Sequence, residues 1–253
     1  MNKLSGTIIL CMFILMMSGC WGGSGSSDEG ADSIVVLPTI KTLHEESLLL
    51  VDDDYTDTCY VEDITCDESG RTMVDKLHYG GGSVFSITFA YDGELLVRKD
   101  CGFEGQDTAS IYYSYDDEGR LQSVSDNKHP MPIETYLYDE NGRKEWTFTH
   151  DGESDSIISS YHTQYDLLGR VEEEVQYGVE FENQVLETHT YIYDSDGNLK
   201  EEKVENADGV TLVLYEYDEY DEFGSWTLCY KTEYQVPSSN GKKTRTTRIL
   251  TYY

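Results

Sequence analysis

Tyr115-Asp116-Asp117-Glu118-Gly119-Arg120-Leu121 is a turn signal that the chain writes again and again. Full copies follow as Tyr138-Asp139-Glu140-Asn141-Gly142-Arg143, Tyr165-Asp166-Leu167-Leu168-Gly169-Arg170-Val171, Tyr193-Asp194-Ser195-Asp196-Gly197-Asn198-Leu199 and Tyr220-Asp221-Glu222-Phe223-Gly224-Ser225-Trp226. Two worn copies precede them. Cys66-Asp67-Glu68-Ser69-Gly70-Arg71 has Cys in the place of Tyr, and Tyr91-Asp92-Gly93-Glu94-Leu95 is two turn residues shorter. The starts at 66, 91, 115, 138, 165, 193 and 220 give a period of 23 to 28 residues, which signals a repeat architecture.

Each copy reads as a hairpin tip. An Asp that opens a four-residue turn accepts hydrogen bonds from the backbone two residues on, and a Gly in fourth place takes the left-handed conformation that closes a hairpin with a bulge. The entering strands alternate, as in Tyr113-Ser114-Tyr115, Tyr136-Leu137-Tyr138 and Tyr191-Ile192-Tyr193, which puts the phenols on one face. The far ends carry turn signals of their own at His150-Asp151-Gly152-Glu153, Asn206-Ala207-Asp208-Gly209 and Ser239-Asn240-Gly241-Lys242. One repeat is thus two antiparallel strands. About seven such repeats predict an all-β domain of about fourteen strands, an extended, twisted or curved antiparallel meander sheet. A single hairpin is marginal in water, so each repeat leans on its neighbours and the central repeats should matter more than the terminal ones, with closure of the sheet left open by the sequence.

The Tyr-Asp-x-x-Gly-[Arg/Asn]-[Leu/Val] core resembles the YD repeat of the RHS family, over roughly Thr65 to Tyr230. In the large members of that family the repeats wind into a hollow β shell around a toxin segment. The array here is short and shows no long C-terminal domain, so toxin encapsulation is not the expectation. Gly224-Ser225-Trp226 and the closing Arg248-Ile249-Leu250-Thr251-Tyr252-Tyr253 resemble the ends of short YD-repeat lipoproteins of Bacteroidetes-type bacteria. The MORN-like module, which also has Tyr and Gly at a period near 23, lacks its Asn-Gly-x-Leu pattern here.

An apolar run of eleven residues, Thr7 to Met17, stands behind Lys3 and is followed by Ser18-Gly19-Cys20. Eleven residues are too few to span a bilayer and suit the core of a secretory signal. Small residues before a Cys resemble the bacterial lipobox, which implies removal of residues 1–19 and lipidation at Cys20. Residues 20–45 are expected to be a tether, Gly-, Ser- and acid-rich over Gly22 to Ser33, and 46–253 the repeat domain. Ile34 to Leu37 reads as a short strand, while Lys41 to Val51 is open between strand and helix. The address that follows is an exported protein held by lipid at the bacterial outer membrane or cell surface.

Eighteen basic against forty-nine acidic residues, a net charge of −31, exclude nucleic acid as a partner and disfavour anionic membrane surfaces. The membrane contact expected is the lipid alone. Twenty-one Tyr beside seven Phe suit a thin, partly solvated sheet, with the rings either joining neighbouring repeats or stacking on a glycan. The tip residues Asp67, Gly70, Asp92, Gly93, Asp116, Gly119, Asp139, Gly142, Asp166, Gly169, Asp194, Gly197, Asp221 and Gly224 are read as turn formers, with no metal assigned. Asp194 to Glu205 imitates a calcium loop, but Leu199 stands where its turn requires Gly. No Gly-x-Ser-x-Gly, His-Glu-x-x-His, Cys-x-x-Cys or phosphate loop occurs, and the six His are scattered; no cofactor and no catalytic centre are expected. Four cysteines, Cys59, Cys66, Cys101 and Cys229, remain in an oxidising setting. A two-residue loop at Glu62-Asp63 would set Cys59 opposite Cys66, and four buried thiols are the alternative. Function is then expected to be that of a non-catalytic binding, adhesion or structural module for a glycan or protein ligand, or else of a component of a secreted or toxin-related RHS-like assembly.

Overall fold

The computed structural model describes residues 38–51, 54–79, 82–178, 184–236 and 241–253. The signal segment, Cys20 and the strand expected over Ile34 to Leu37 lie outside the described residues, as do residues 80–81 and 237–240.

Sixteen strands follow one another: β1 Ile40–Val51, β2 Asp54–Cys66, β3 Thr72–His78, β4 Val84–Asp92, β5 Leu95–Phe103, β6 Ala109–Tyr115, β7 Leu121–Asp126, β8 Glu134–Tyr138, β9 Lys144–His150, β10 Ile157–Tyr165, β11 Val171–Gly178, β12 Gln184–Tyr193, β13 Leu199–Asn206, β14 Gly209–Tyr220, β15 Trp226–Val236 and β16 Lys242–Tyr252. Each pairs antiparallel with the next, and β1 pairs with β16, so the sheet closes into a barrel. The antiparallel meander is as expected, but it is a closed wall rather than an extended sheet, and it has sixteen strands rather than about fourteen. Residues 40–45, placed in the tether by sequence, are part of β1, which pairs with β16 from Ile40 and with β2 from Thr42.

The reason for closure lies at the tips. In every copy of the motif the register slips at the Tyr position: at Cys66, Tyr91, Tyr115, Tyr138, Tyr165, Tyr193 and Tyr220. Tyr115 faces Leu121, for example, while Ser114 faces Ser123. Each slip is a bulge that bends and twists its strand, and all of them fall at one end of the wall. Bends of one sense, repeated at a regular interval, curl a meander until its edges meet. Closure also removes both open edges.

The seam repeats the tip in cut form. Tyr252 faces Ile40 and Thr251 faces Thr42, the same slip as at Tyr115. The Tyr253 amide donates to the Thr39 carbonyl at 3.1 Å, just as the Asp116 amide donates to Arg120 at 2.9 Å. The first and last strands are thus the two halves of an eighth hairpin without its loop. A ring has no terminal repeat, so the expected weakness of end repeats gives way to a different one, the seam.

The register assigns the faces. Glu45, Ser47, Glu62, Ile64, Cys66, Asp75, Leu77, Phe85, Ile87, Val124, Thr147, Thr163, Val213 and Cys229 are buried and share one face, the inner one; His150 and Val175 are buried on the other. Leu137, Ile192 and Ile249 point outward, more than two-fifths exposed, the first two between inward tyrosines. Glu62 and Asp63 lie within β2, so no loop turns there. Cys59 and Cys66 sit seven residues apart on one strand, about 23 Å at the rise of a strand, which excludes a bridge between them.

Removing β16, by ending the chain before Lys242, should abolish the cooperative urea transition of the whole barrel rather than subtract one repeat. Near-UV circular dichroism through a urea titration is the measurement. A sharp residual transition with most of the original amplitude would show that an open array is stable and that the seam is dispensable.

Candidate functional site

The tips form a chain of clamps around one rim. Within a tip, the Asp116 carboxylate accepts from the Glu118 and Arg120 amides at 3.1 and 2.8 Å, and its second oxygen accepts from Arg120 Nε at 2.8 Å. Asp139 with Arg143 and Asp166 with Arg170 repeat this geometry, as does Asp67 with Arg71. The closing glycines Gly70, Gly119, Gly142, Gly169, Gly197 and Gly224 have φ between 75° and 90°, and each donates its amide to the Asp carbonyl three residues before. Gly93, at φ 59°, turns the short loop between Asp92 and Leu95.

The same Arg then reaches the next repeat. Arg71 lies over the Tyr91 ring, Arg120 over Tyr138, Arg143 over Tyr165 and Arg170 over Tyr193, at 4.4 to 5.0 Å from the centroid. Each of those phenols donates back across the boundary: Tyr91 to Thr72, Tyr138 to Leu121, Tyr165 to Lys144 and Tyr193 to Val171, at 2.7 to 2.9 Å. The guanidinium held flat by one Asp is therefore the floor on which the next Tyr rests. In the copies that end in Asn198 and Ser225 the link changes. Asn198 bonds the Tyr220 hydroxyl at 3.4 Å, and Tyr252 donates to the Asp221 carboxylate with its ring edge-on to Phe223. The tip Asp residues are spent on turns and guanidinium groups, and no group of three His, Cys, Asp or Glu among the described residues fits a metal ion.

The inner wall is where chemistry is left over. Rows of phenols meet carboxylates there: Tyr60 donates to Glu45, Tyr136 to Glu134, Tyr191 to Glu174 at 3.0 Å and Tyr215 to Glu202 at 3.3 Å. His189 stands between Glu187 and Glu202, at 2.8 and 3.0 Å, with its ring stacked beside Tyr191. Lys99 lies over the Phe89 and Tyr113 rings. Each of these contacts stays on one strand or joins adjacent ones. A circular wall of sixteen strands about 4.8 Å apart would be about 24 Å across, so opposite walls need not touch and each inner side chain finds partners along the wall. Sequence reasoning placed the tyrosines on one face but passed over the acids; the alternation Glu134-Thr135-Tyr136-Leu137-Tyr138 was the available signal.

Electrostatics separate rim from wall. Partial burial pushes the Asp116, Asp139 and Asp166 carboxyls up, but the bonds from Arg120, Arg143 and Arg170 outweigh it and hold them below the ordinary range. On the wall, burial and neighbouring carboxylates push the Tyr136, Tyr191 and Tyr215 phenols well up, so they remain donors at any physiological pH. Burial would lower His189, yet its bonds to Glu202 and Glu187 raise it to about 9. Burial pushes the Cys229 thiol up to about 11, the wrong direction for a nucleophile. A hydroxyl–imidazole–carboxylate order occurs at Thr135, His150 and Asp155, but His150 Nδ1 is 3.7 Å from Asp155, too far for the bond that orients a base.

Arg143→Ala should lower stability by about 1 kcal/mol, because it removes an ion pair and the stack on Tyr165 together. Arg143→Lys should restore it only in part, since an ammonium has no plane to lay on the ring and no fork for the carboxylate. Urea midpoints check both. The pH dependence has two limbs. The depressed rim carboxyls contribute stability that is complete above their ordinary value of 3.8 and is lost as pH falls. His189, raised, contributes stability that is complete below 6.5 and is lost as pH climbs through about 9. Maximum stability is expected between these values, and His189→Gln should flatten the alkaline limb.

A family model described as "Teneurin YD-shell" matches residues 43–161. Teneurin-4 of Mus musculus is 32% identical over 168 residues, covering 61% of this chain and 6% of its own length, and Teneurin-4 of Homo sapiens gives the same figures. The chain therefore spans about 6% of these relatives. Among solved structures, a porin-like protein from Bacteroides uniformis aligns with a TM-score of 0.53 at 11% identity, covering 85% of this chain and 98% of that one. The TcdB2–TccC3–TEV structure aligns at a TM-score of 0.35 and 10% identity, over 74% of this chain and 12% of that one.

Proposed function

We propose, from the premise that this chain is a YD-repeat protein of the RHS type, that it is a non-catalytic β shell held by lipid at the bacterial cell envelope or surface, where it acts as a binding or structural module for a glycan or protein. The observation that carries this reading is the inner wall. Its phenols and carboxylates are paired with one another in neutral or ionic hydrogen bonds, and its thiol and imidazole groups are tuned away from nucleophile and base work. Such a wall holds shape and offers stacking faces and acceptors to a polar ligand. The net charge of −31 leaves nucleic acid out and assigns attachment to the lipid on Cys20, with residues 1–19 as the signal that is removed. The second reading is a component of a secreted or toxin-related RHS-like assembly. It is supported by the match to a YD-shell model and by a wall that closes on itself, as a shell must, and it fits these observations at least as well as the first.

Cys20→Ser should move the protein from the membrane fraction to the soluble one, because a single acylated residue carries the whole anchor. Unchanged partition after carbonate extraction would sink the anchored reading. The lipid-free protein, presented to a glycan panel and to envelope extract, separates the two readings: retention of a polysaccharide supports the binding module, and recovery of a secreted polypeptide as the stoichiometric partner supports the assembly component.

A further inference from the structure

The seam differs from every other strand pair. All others are consecutive in the chain, whereas β1 and β16 meet across 203 positions at Glu45 and Arg248. Loop-closure entropy opposes this pairing more than any other in the ring. Its inner face is polar: Ser47 meets Thr246 at 2.6 Å, and Glu45 accepts from Arg248 Nε at 2.6 Å and from the Tyr60 hydroxyl. Glu62 of β2 faces Glu45 in register, and Asp75 of β3 is its diagonal neighbour on the same inner face. These three acids are 6%, 8% and 2% exposed, and Asp75 Oδ1 has no hydrogen-bond partner. Lys99 of β5 attracts Asp75 from two strands away.

Three buried carboxylates side by side repel one another with little water to screen them, so one of Glu62 and Asp75 carries a proton. With that proton the row is balanced: two carboxylates against Arg248 and Lys99. Without it one buried negative charge is uncompensated beside the seam. We propose that a proton held between Glu62 and Asp75 latches the barrel shut, and that its release opens the wall between β1 and β16. The groups facing Glu62 are Tyr60 on its own strand, Glu45 from β1, Arg248 from β16 and Asp75 from β3, and Lys99 from β5 faces Asp75. Burial, then Asp75 and Glu45, push Glu62 up to about 8, and burial pushes Asp75 up to about 6, so release falls near and above neutrality. Both groups are raised, so the latch is complete in acid and is lost as pH climbs through these values. On the outer face of the same strands His44 and His78 bond Asp63 at 2.6 and 2.8 Å, and the test must separate the two sets.

Hydrogen exchange of the full chain, corrected for the intrinsic rate, should show protection of peptides from β1 and β16 falling by up to about tenfold for each pH unit as pH climbs toward 8 and levelling off above it, while β10 and β11 hold theirs. Glu62→Gln, which keeps shape and cannot ionise, should abolish the fall; Asp63→Asn should leave it intact. If Glu62→Gln does not fold, Asp75→Asn serves in its place, and infrared titration of the unaltered protein should reveal a protonated carboxyl persisting above the ordinary carboxylate range. Equal loss across all strands, a fall that survives Glu62→Gln or Asp75→Asn, or the absence of that protonated carboxyl would each overturn the latch.

Discussion

The fold depends on one carboxylate used several times. In each tip that ends in Arg, Asp caps its own turn through backbone amides and fixes a guanidinium through its second oxygen, as Asp139 does with Arg143. The plane so fixed supports the next Tyr, whose hydroxyl returns a bond to the strand just left. Removing the carboxylate would therefore loosen a turn, free a cation and unseat a ring in a neighbouring hairpin. Each exposed ion pair is worth little alone. The coupling is what matters, because a hairpin that is marginal in isolation becomes stable when its neighbour is held in place.

Much of the local structure was legible in the sequence, and the reason is that its determinants lie within one repeat. Tyr113-Ser114-Tyr115 declares a strand, Asp116 to Gly119 a turn, and Arg120 a cation one step beyond it. Closure was not legible. It results from summing bends over sixteen strands, and no window of sequence contains that sum. The seam hid for a second reason: Tyr252 and Tyr253 face Ile40 and Thr39 in the geometry of a tip, but the Asp and Gly that advertise a tip are absent because no loop is required there. Lys41 to Val51 stayed open between helix and strand for the same reason, since its partner is at the far end of the chain.

The inner wall shows why composition alone misleads about a core. Tyr, Glu, Thr and Lys occupy positions that a sandwich would give to Leu and Val, while Leu137 and Ile192 face outward. In a sheet closed around its own middle, an inward side chain meets neighbours on its own wall before it meets the opposite one. Hydrogen-bonded phenols satisfy that arrangement better than aliphatic groups, which would present bare surface to the lumen. The acids left over from the tyrosine pairs are concentrated where β1 meets its neighbours, and their compensation by Arg248 and Lys99 is incomplete.

The cut hairpin at the seam carries a topological consequence. Thr39 and Tyr253 are one hydrogen bond apart at the rim where all seven tips stand. A circular permutant that joined these residues and began at any other tip would spell the same wall in the same order. The break between Tyr253 and Thr39 is thus one of eight equivalent places at which this ring could begin, and the order of its strands does not depend on which of them is used.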